Sequence, residues 1–397
     1  MAGIGIALGI IALLLGLGLL AVEIQYRRRP GNALELTSGD WNLEVYEPQN
    51  YLLVGEMEFQ NRTTRLEIMV PQVMAEATLL SKASLDGVTT KIQITPRHSD
   101  ADARPDGYWF GYIVKVAKTT RMEVSLSIKG ADLTPLQAAW IRVQYVTYGP
   151  QGRIPKTRHV IVPLRFPSSD EPPRWRPTTT ADLLPVKTHL LTHLDNPVDV
   201  VKRYVLPRSQ PGDIITLGET PVAIMQGRFR YPADIKPGFV AKRLCYYFMP
   251  TSSLATACGM QSLVDIVGPA RVVGAFVLGA IAKKFLGKPG MFYQLAGEQA
   301  RLIDDVTGTL PPYDQFIVLG PHNPQQVVDD IKRETGLSAA IVDVNDLKAV
   351  KVLAATADIP AGLLETALIN NPAGNADEQT PLVLIRPTAT ASDPGLV

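Results

Sequence analysis

The clearest chemical potential in this chain lies in the polar side chains that follow an apolar run near its C-terminal end. Residues 337–342 are almost entirely apolar, and Asp343, Asn345 and Asp346 come soon after them. Such a run is typical of a strand buried on both faces of a parallel sheet, and ligands gather outside the carboxyl ends of those strands. Carboxylate and amide oxygens are ligands for divalent cations. The sequence therefore predicts a metal or phosphate site at Asp343 and Asn345.

Other polar residues in the C-terminal half could complete this site. Three acids could supply further oxygens: Glu298, Asp304 and Asp305. Asn375 and Asp377, in a Gly- and Asn-rich loop, could close the other side of the site. Arg228 could clamp a phosphate or a carboxylate with two parallel hydrogen bonds. The acids and amides also cap turns and helices, so each has a structural alternative. No Gly-rich phosphate loop ending in Lys-Ser or Lys-Thr occurs, and no side chain is identified as catalytic.

These residues need a framework, and region 186–386 has the patterns of an α/β (or α+β) domain. Residues 212–217, 222–225 and 316–320 read as strands. The amphipathic pattern of residues 325–335 predicts a helix that ends at Gly336 and turns three apolar residues inward: Val327, Val328 and Ile331. This helix leads into the strand that ends at Asp343, so we expect strand 316–320, the helix and that strand to form a right-handed crossover.

Three blocks of this region resemble the coenzyme F420-0:L-glutamate ligase (gamma-glutamyl ligase) family. They are residues 185–189 (PVKTH), 212–228 (GDIITLGETPVAIMQGR) and 339–346 (AAIVDVND). In the second block the Gly-Asp and Gly-Arg pairs match the family motif, but Gln226 stands where the family carries Glu.

The third block matches its family motif in part. Asp343 and Asn345 match an Asp-Thr-Asn-Gly-Arg turn whose Asp ligates metal, whereas the other three positions differ. Gln299, beside Glu298, occupies the place of a further ligand Asp in the family. The resemblance thus covers the last half of the chain with altered site motifs.

The resemblance implies a nucleotide- and metal-dependent ligase that activates its substrate with GTP and attaches glutamate through an amide bond, using manganese or magnesium. It implies metal ligation by Asp343, Glu298 and Asn345. From their chemistry alone, we expect nucleotide or substrate contacts from Arg228, Asp304, Asp305, Asn375 and Asp377. The changes at Gln226 and Gln299 leave two alternatives open: an inactive ligase-like protein that binds a ligand or assembles partners at a membrane, and a purely structural membrane scaffold.

The N-terminal segment predicts a membrane anchor. Residues 4–22 are uncharged, and Arg27, Arg28 and Arg29 follow with no Lys or Arg before them. As a helix these 19 residues would be about 28 Å long, enough for a bilayer core. The positive-inside bias places the arginines and the rest of the chain on the cytoplasmic side. Residues 1–26 are therefore predicted to be a single-pass transmembrane anchor.

The middle of the chain predicts β-structure. Segments such as 91–95, 123–128 and 141–146 alternate apolar and polar residues between Gly-containing turns, which indicates a small β-sandwich over residues 34–167. By analogy we expect this domain to serve interactions. The Pro-rich residues 168–185 read as a linker, and residues 387–397 read as a disordered tail.

The composition of the chain limits the classes of molecule that it is expected to bind. The 397 residues carry a net charge of +1 with mixed signs, which argues against nucleic-acid binding. Two widely spaced cysteines predict reduced thiols. Residues 272–282 are apolar on all faces, so a buried core helix is the first interpretation and a helix at the membrane interface the second. The membrane and a small-molecule ligand or nucleotide are the expected partners, and a homodimer or a membrane-protein partner stays open.

Overall fold

The structure is a computed structural model that describes residues 2–27, 32–168, 172–288, 290–305, 310–344, 348–374 and 378–388. The chain divides into two compact units. The first comprises residues 1–76, 89–129 and 142–159, and the second comprises residues 77–88, 130–141 and 160–397.

The first unit begins with helix α1 (Ala2–Arg27), which covers the predicted apolar segment. Its stretch Gly9–Tyr26 is long and apolar enough to cross a membrane and is exposed along its length. A signal sequence or an apolar core helix can have the same length and composition, so the helix shows the capacity to span a membrane and no more.

Residues 34–163 form nine strands in two sheets, which make up a β-sandwich. One sheet has the order β1-β3-β7-β5 with β2 also paired to β3, and the other has the order β6-β4-β8-β9. The strands are β1 (Leu34–Leu36), β2 (Asp40–Glu47), β3 (Asn50–Asn61), β4 (Ile68–Ser81), β5 (Thr89–Arg97), β6 (Tyr112–Val114), β7 (Thr119–Lys129), β8 (Leu136–Gly149) and β9 (Gly152–Pro163).

The sandwich core follows from the alternation that the sequence shows. In β7 every second residue from Thr120 to Ile128 is buried, because successive side chains of a strand point to opposite faces. Phe59 packs edge-on against Trp109 and Tyr145, with ring centroids 5.9 and 5.3 Å apart. The predicted β-sandwich is therefore confirmed.

The second unit is built on a six-stranded mixed sheet. Its order is β10-β11-β18-β12-β16-β17, in which only β12 and β16 pair in parallel. The strands are β10 (Arg176–Pro177), β11 (Ala181–Val186), β12 (Ile214–Gly218), β16 (Ser338–Val344), β17 (Val350–Ala355) and β18 (Leu382–Pro387). A small antiparallel sheet, β13-β15-β14, lies in the same unit and consists of β13 (Phe229–Arg230), β14 (Asp304–Asp305) and β15 (Ile317–Val318).

Helices cover both faces of the six-stranded sheet. One face packs on α2 (Pro197–Tyr204), α3 (Glu219–Met225) and α9 (Pro324–Thr335), and the other on α10 (Leu363–Ala367). A separate apolar cluster joins five short or medium helices: α4 (Phe239–Leu244), α5 (Ala257–Val267), α6 (Pro269–Leu286), α7 (Met291–Ala296) and α8 (Gln299–Leu302). The predicted α/β character is therefore confirmed.

Helix α9 confirms the amphipathic pattern of residues 325–335. Val328 and Ile331 are fully buried and Val327 packs partly against the same core. Gly336 adopts φ 77° at the C-terminal end, where its N–H donates to the carbonyl of Lys332. A left-handed residue at this position is the usual way to end a helix, and Gly adopts it without strain.

Three local predictions were wrong. Residues 222–225 belong to α3, because four consecutive apolar residues fit a buried helix as well as a strand. Residues 181–185 of the predicted linker belong to β11 (Ala181–Val186), which pairs with β18. Strand β15 lies in the small sheet, so it is not the crossover partner of β16; that partner is β12.

Candidate functional site

The carboxyl ends of three strands meet at one edge of the six-stranded sheet. The parallel register pairs Gly218 of β12 with Val342 of β16, and Val186 of β11 and Leu217 both lie opposite Leu382, the first residue of β18. Asp343 follows Val342, and Glu219 follows Gly218. Both carboxylates are thus delivered to the edge where open α/β sheets bind ligands.

A cavity of about 170 Å³ opens at this edge and is lined by three acids. Glu219 and Asp343 come from the ends of the parallel strands, and Asp304 comes from β14 of the small sheet. The rest of the lining is mostly small or apolar, including Thr216, Pro372 and Val383. We call this cavity with its three acids the acidic cavity.

Glu219 has a strongly raised pKa in the acidic cavity. Burial, followed by the charge of Asp343, raises its pKa from 4.5 to about 8, and the charges of Asp304 and Glu298 act in the same direction. Its Oε2 atom is buried and has no hydrogen-bond partner among the residues that the structure describes. At neutral pH this carboxyl therefore holds its proton, and an added cation would favour its ionised form.

The positive charge of Lys351 opposes these effects and lowers the pKa of Glu219. This lysine lies directly opposite Asp343 in the β16–β17 ladder. Its Nζ atom is 3.9 Å from Oε1 of Glu298, which is largely exposed.

The acidic cavity fits a hard cation that takes few protein ligands. Across the described residues, no three His, Cys, Asp or Glu side chains form a ready metal-ligand group. Magnesium, however, usually binds one or two carboxylates and completes its shell with water and substrate phosphate. The unpaired Oε2 of Glu219 beside Asp343 suits that mode.

The raised pKa of Glu219 predicts how stability depends on pH. Between pH 4.5 and about 8 the unfolded chain has lost this proton while the folded chain keeps it. The folded state then binds more protons, so this contribution to stability is full below pH 4.5 and is lost as pH rises towards 8. We expect Glu219→Gln to remove the loss. In thermal melts with EDTA from pH 5 to 8, the Tm of the variant should rise relative to that of the wild type as pH increases. A Tm difference that stays constant over this range would contradict the prediction.

Two further cavities follow the same edge. One, of about 150 Å³, shares Thr220, Pro221, Asp304 and Pro381 with the acidic cavity. The other has a volume of about 770 Å³ and lies beyond the ends of β11 and β18. Its lining, among the described residues, contains the acid Glu378 and five cationic side chains: Arg174, Arg176, Lys187, Arg203 and Arg208. We call it the basic cavity, and its charge suits phosphate or carboxylate groups.

Arg228, predicted to bind nucleotide or substrate, makes internal hydrogen bonds. Its Nε atom donates to the carbonyl of Gly320, and one terminal nitrogen donates to Oε1 of Gln299 at 3.1 Å. Burial lowers its pKa. Arg228 does not line the acidic cavity, so its role as a ligand clamp stays a prediction.

The two glutamines at positions where the resemblance led us to expect acids bind the chain itself. Gln226 donates to the carbonyl of His322 at 2.8 Å and accepts from its N–H at 2.7 Å. Gln299 accepts from Arg228 and donates to the carbonyl of Pro321 at 3.4 Å. An amide can donate and accept at once, which a carboxylate cannot. Both residues thus hold the loop at 320–322 in place.

We expect Gln226→Glu to destabilise the second unit. The carboxylate would keep the bond from the His322 N–H but would lose the donor and face the His322 carbonyl. The expected loss is about 1 kcal/mol, or roughly 2–4 °C in Tm. Gln294→Glu, at an exposed position of α7, is the matched control and should change little. A variant at residue 226 as stable as this control would contradict the structural role.

The Gly-Asp pair of the second block has a structural role. Asp213 is buried and receives two hydrogen bonds from Arg386, at 2.9 and 2.8 Å. It also accepts from the N–H of Gln210 at 2.9 Å. These bonds tie the start of β12 to β18, so Asp213 positions the sheet and lies at the opposite edge from the acidic cavity.

Sequence reasoning missed Glu219, although the signal was present. An apolar run, residues 214–217, ends at Gly218-Glu219 just as another ends at Asp343. Of the predicted site residues, Asn345, Asn375, Asp377 and the side chain of Asp305 lie outside the described part of the chain. The predicted metal ligand Glu298 lies near the cavity through Lys351, but it is not part of the lining.

The comparisons with known proteins concern the N-terminal part of the chain. Residues 35–166 match the family described as "F420-0:gamma-glutamyl ligase, N-terminal Ig-like domain". The match does not include the three blocks between residues 185 and 346 that carry the resemblance described from the sequence. A comparison with curated protein sequences gave no match.

Solved structures similar to part of the chain include two yeast domains and an adhesin. A yeast GGA1 GAE domain has 14% identity over 35% of this chain and 96% of that chain, with a TM-score of 0.19. The GAE domain of GGA2p from Saccharomyces cerevisiae has 10% identity over 33% and 98%, with a TM-score of 0.18. The CupB6 tip adhesin from Pseudomonas aeruginosa has 8% identity over 36% and 58%, with a TM-score of 0.22. At these TM-scores none of them bears on function. Residues 35–166 are thus similar to the N-terminal Ig-like domain of F420-0:gamma-glutamyl ligases, which supports a relationship to that ligase family.

Proposed function

We propose that this chain is a membrane-anchored, nucleotide- and metal-dependent ligase that joins an amine, with glutamate as the leading candidate, to a carboxylate-bearing small molecule. The observation that carries the proposal is the acidic cavity at the carboxyl edge of the sheet, where Glu219 keeps a proton beside Asp343 and Asp304. The Ig-like match at residues 35–166 supports the same family.

The chain's own residues have distinct parts in this proposal. Asp343 and Glu219 hold a manganese or magnesium ion, and Asp304 is the third acid of the cavity. Lys351 limits the repulsion between the acids. The cations of the basic cavity bind and orient the phosphates of GTP or ATP. A bound divalent ion supplies charge neutralisation at the phosphoryl oxygens.

Calorimetry on the full chain in lipid nanodiscs tests this proposal. Titration with GTP or ATP in the presence of manganese should give saturable heat, and the same titration in EDTA should give much less. Arg203→Gln/Arg208→Gln, in the basic cavity, should weaken nucleotide binding without affecting manganese binding. No heat with either nucleotide would contradict the ligase proposal.

A second candidate function is a ligase-like protein without activity that binds a ligand or assembles partners at the membrane. The observation that favours it is the internal bonding of Gln226, Gln299 and Arg228, which leaves the altered family positions with structural partners. Nucleotide binding without nucleotide turnover in the presence of glutamate would support this alternative.

We also propose that α1 is a single-pass anchor and that both units lie on the cytoplasmic side. The three consecutive arginines 27–29, the first of which ends the helix, support this orientation. Protease added outside intact cells should leave the chain whole, whereas cleavage after Pro30 would reverse the orientation.

A further inference from the structure

Helix α6 has two apolar faces, only one of which is covered. Val272, Ala275, Gly279 and Ala282 face the core formed by α4–α8. The opposite face carries large apolar side chains that are exposed within the second unit, including Val277, Leu278, Ile281 and Phe285, the last at 73%. A helix of this composition was expected to be buried on all sides, so the core-helix interpretation was wrong for this face.

A second exposed apolar group continues this face. Phe239 and Tyr246 project from α4 and the turn after it, and Tyr246 is 85% exposed. The ring of Tyr247, in the same turn, lies 5.2 Å from the ring of Phe276 on α6. The two groups therefore form one surface, which we call the α4–α6 surface.

The α4–α6 surface sits in a strongly cationic part of a nearly neutral chain. Residues 235–288 contain seven Lys and Arg side chains and one acid, a net charge of +6, against +1 for the whole chain. The single acid, Asp265, is paired with Arg230 at 2.6 Å. Three of the lysines, Lys283, Lys284 and Lys288, follow the exposed face of α6 directly, and all three are exposed.

Exposed aromatic and aliphatic side chains bordered by lysines match the chemistry of an anionic lipid surface. The apolar groups enter the boundary between headgroups and acyl chains, while the cations meet phosphate and other anionic headgroups. Helices α5 and α6 meet at a bend of 111°, and Gly268 there has φ 85°. Because α5 is tied into the core through Met260 and Leu263, the exposed face of α6 is free to lie on a membrane.

We infer that the α4–α6 surface is a second membrane-binding site, which binds bilayers rich in anionic phospholipid through its exposed apolar side chains and the lysines beside them. This membrane-binding role goes beyond the proposed ligase function and does not depend on that function. If α1 is inserted in a bilayer, the tether raises the effective concentration of lipid at this surface.

Spin labelling of the full chain tests the inference in vesicles. A nitroxide at residue 278 (Leu278→Cys, with Cys258→Ala) is compared with one at the exposed position 329 of α9 (Asp329→Cys). In phosphatidylcholine vesicles that contain phosphatidylglycerol, the 278 label should collide mostly with oxygen, which concentrates in lipid. The 329 label should collide mostly with a water-soluble nickel complex.

The charge contribution has a matched control. Lys283→Gln/Lys284→Gln/Lys288→Gln should return the 278 label to the nickel-accessible state, as should vesicles of phosphatidylcholine alone. Lys202→Gln/Lys332→Gln/Arg333→Gln removes three charges elsewhere in the unit and should leave the lipid contact intact.

Two results would overturn the inference. A 278 label that stays as nickel-accessible as the 329 label in anionic vesicles would mean that lipid does not cover this surface. Dipolar coupling between 278 labels on two chains, with low access to both reagents, would mean that a second copy covers it.

Discussion

Asp343→Asn is expected to weaken manganese binding by more than about 100-fold, beyond the 10–100-fold that the loss of an outer-shell partner costs. Asp343 lies on the parallel strand β16 and lines the acidic cavity. After burial, its charge is the main cause of the raised pKa of Glu219. The amide keeps the size of the side chain but removes the charge that attracts the ion. Paramagnetic resonance of free manganese in a titration of the full chain measures the affinity.

The control for this variant is Glu334→Gln. Glu334 is the penultimate residue of α9, which precedes the first residue of β16, so it lies at the opposite edge of the sheet. It forms an exposed ion pair with Lys202 at 3.1 Å. Manganese affinity should be unchanged in this variant. A wild-type affinity in Asp343→Asn would show that the ion, if bound, is held elsewhere.

Arg386→Met is expected to cause the largest loss of stability among the single substitutions considered. The variant leaves the buried carboxylate of Asp213 without its two charged donors, while the methionine stem can still pack near Trp175, over whose ring the guanidinium lies at 4.3 Å. Breaking a buried ion pair by removing one partner costs about 3–5 kcal/mol. Because Arg386 is partly exposed, the lower end applies, about 3 kcal/mol, or roughly 6–12 °C in the Tm of the second unit.

A double variant separates the lost ion pair from other effects. In Asp213→Asn/Arg386→Met the buried charge is absent, so much of the lost Tm should return. Lys202→Met, which breaks the exposed pair with Glu334, should cost less than about 1 kcal/mol. Equal destabilisation by Arg386→Met and Lys202→Met would contradict the importance assigned to the buried pair.

The sequence predicted those parts of the fold that depend on local patterns. The sandwich strands alternate because one face is buried, and α9 ends at Gly336 because a left-handed residue is needed there. The sequence did not predict which strands pair when those strands lie far apart along the chain. Strand β15 has a strand-like composition, but its partners are Arg230 and Asp304, far along the chain, and the parallel partner of β16 is the distant β12.

The candidate site was predicted in part for the same reason. Asp343 could be recognised because an apolar run ends there, and the structure places it at the cavity. Glu219 also follows a mostly apolar run, but its raised pKa arises from burial and from acids that the fold brings near, which the sequence does not show. The structural use of Gln226 and Gln299 was likewise invisible, since their partners lie in a loop at residues 320–322.

The central claim is that the acidic cavity binds a divalent cation through a carboxyl that is protonated in its absence. Calorimetric titration of the full chain with manganese at pH 7, in two buffers with different protonation enthalpies, counts the protons released on binding. Because the pKa of Glu219 is about 8, we predict release of roughly one proton per metal ion, and loss of that release in Glu219→Gln. The absence of manganese binding, or binding with the same proton count in both proteins, would contradict the account.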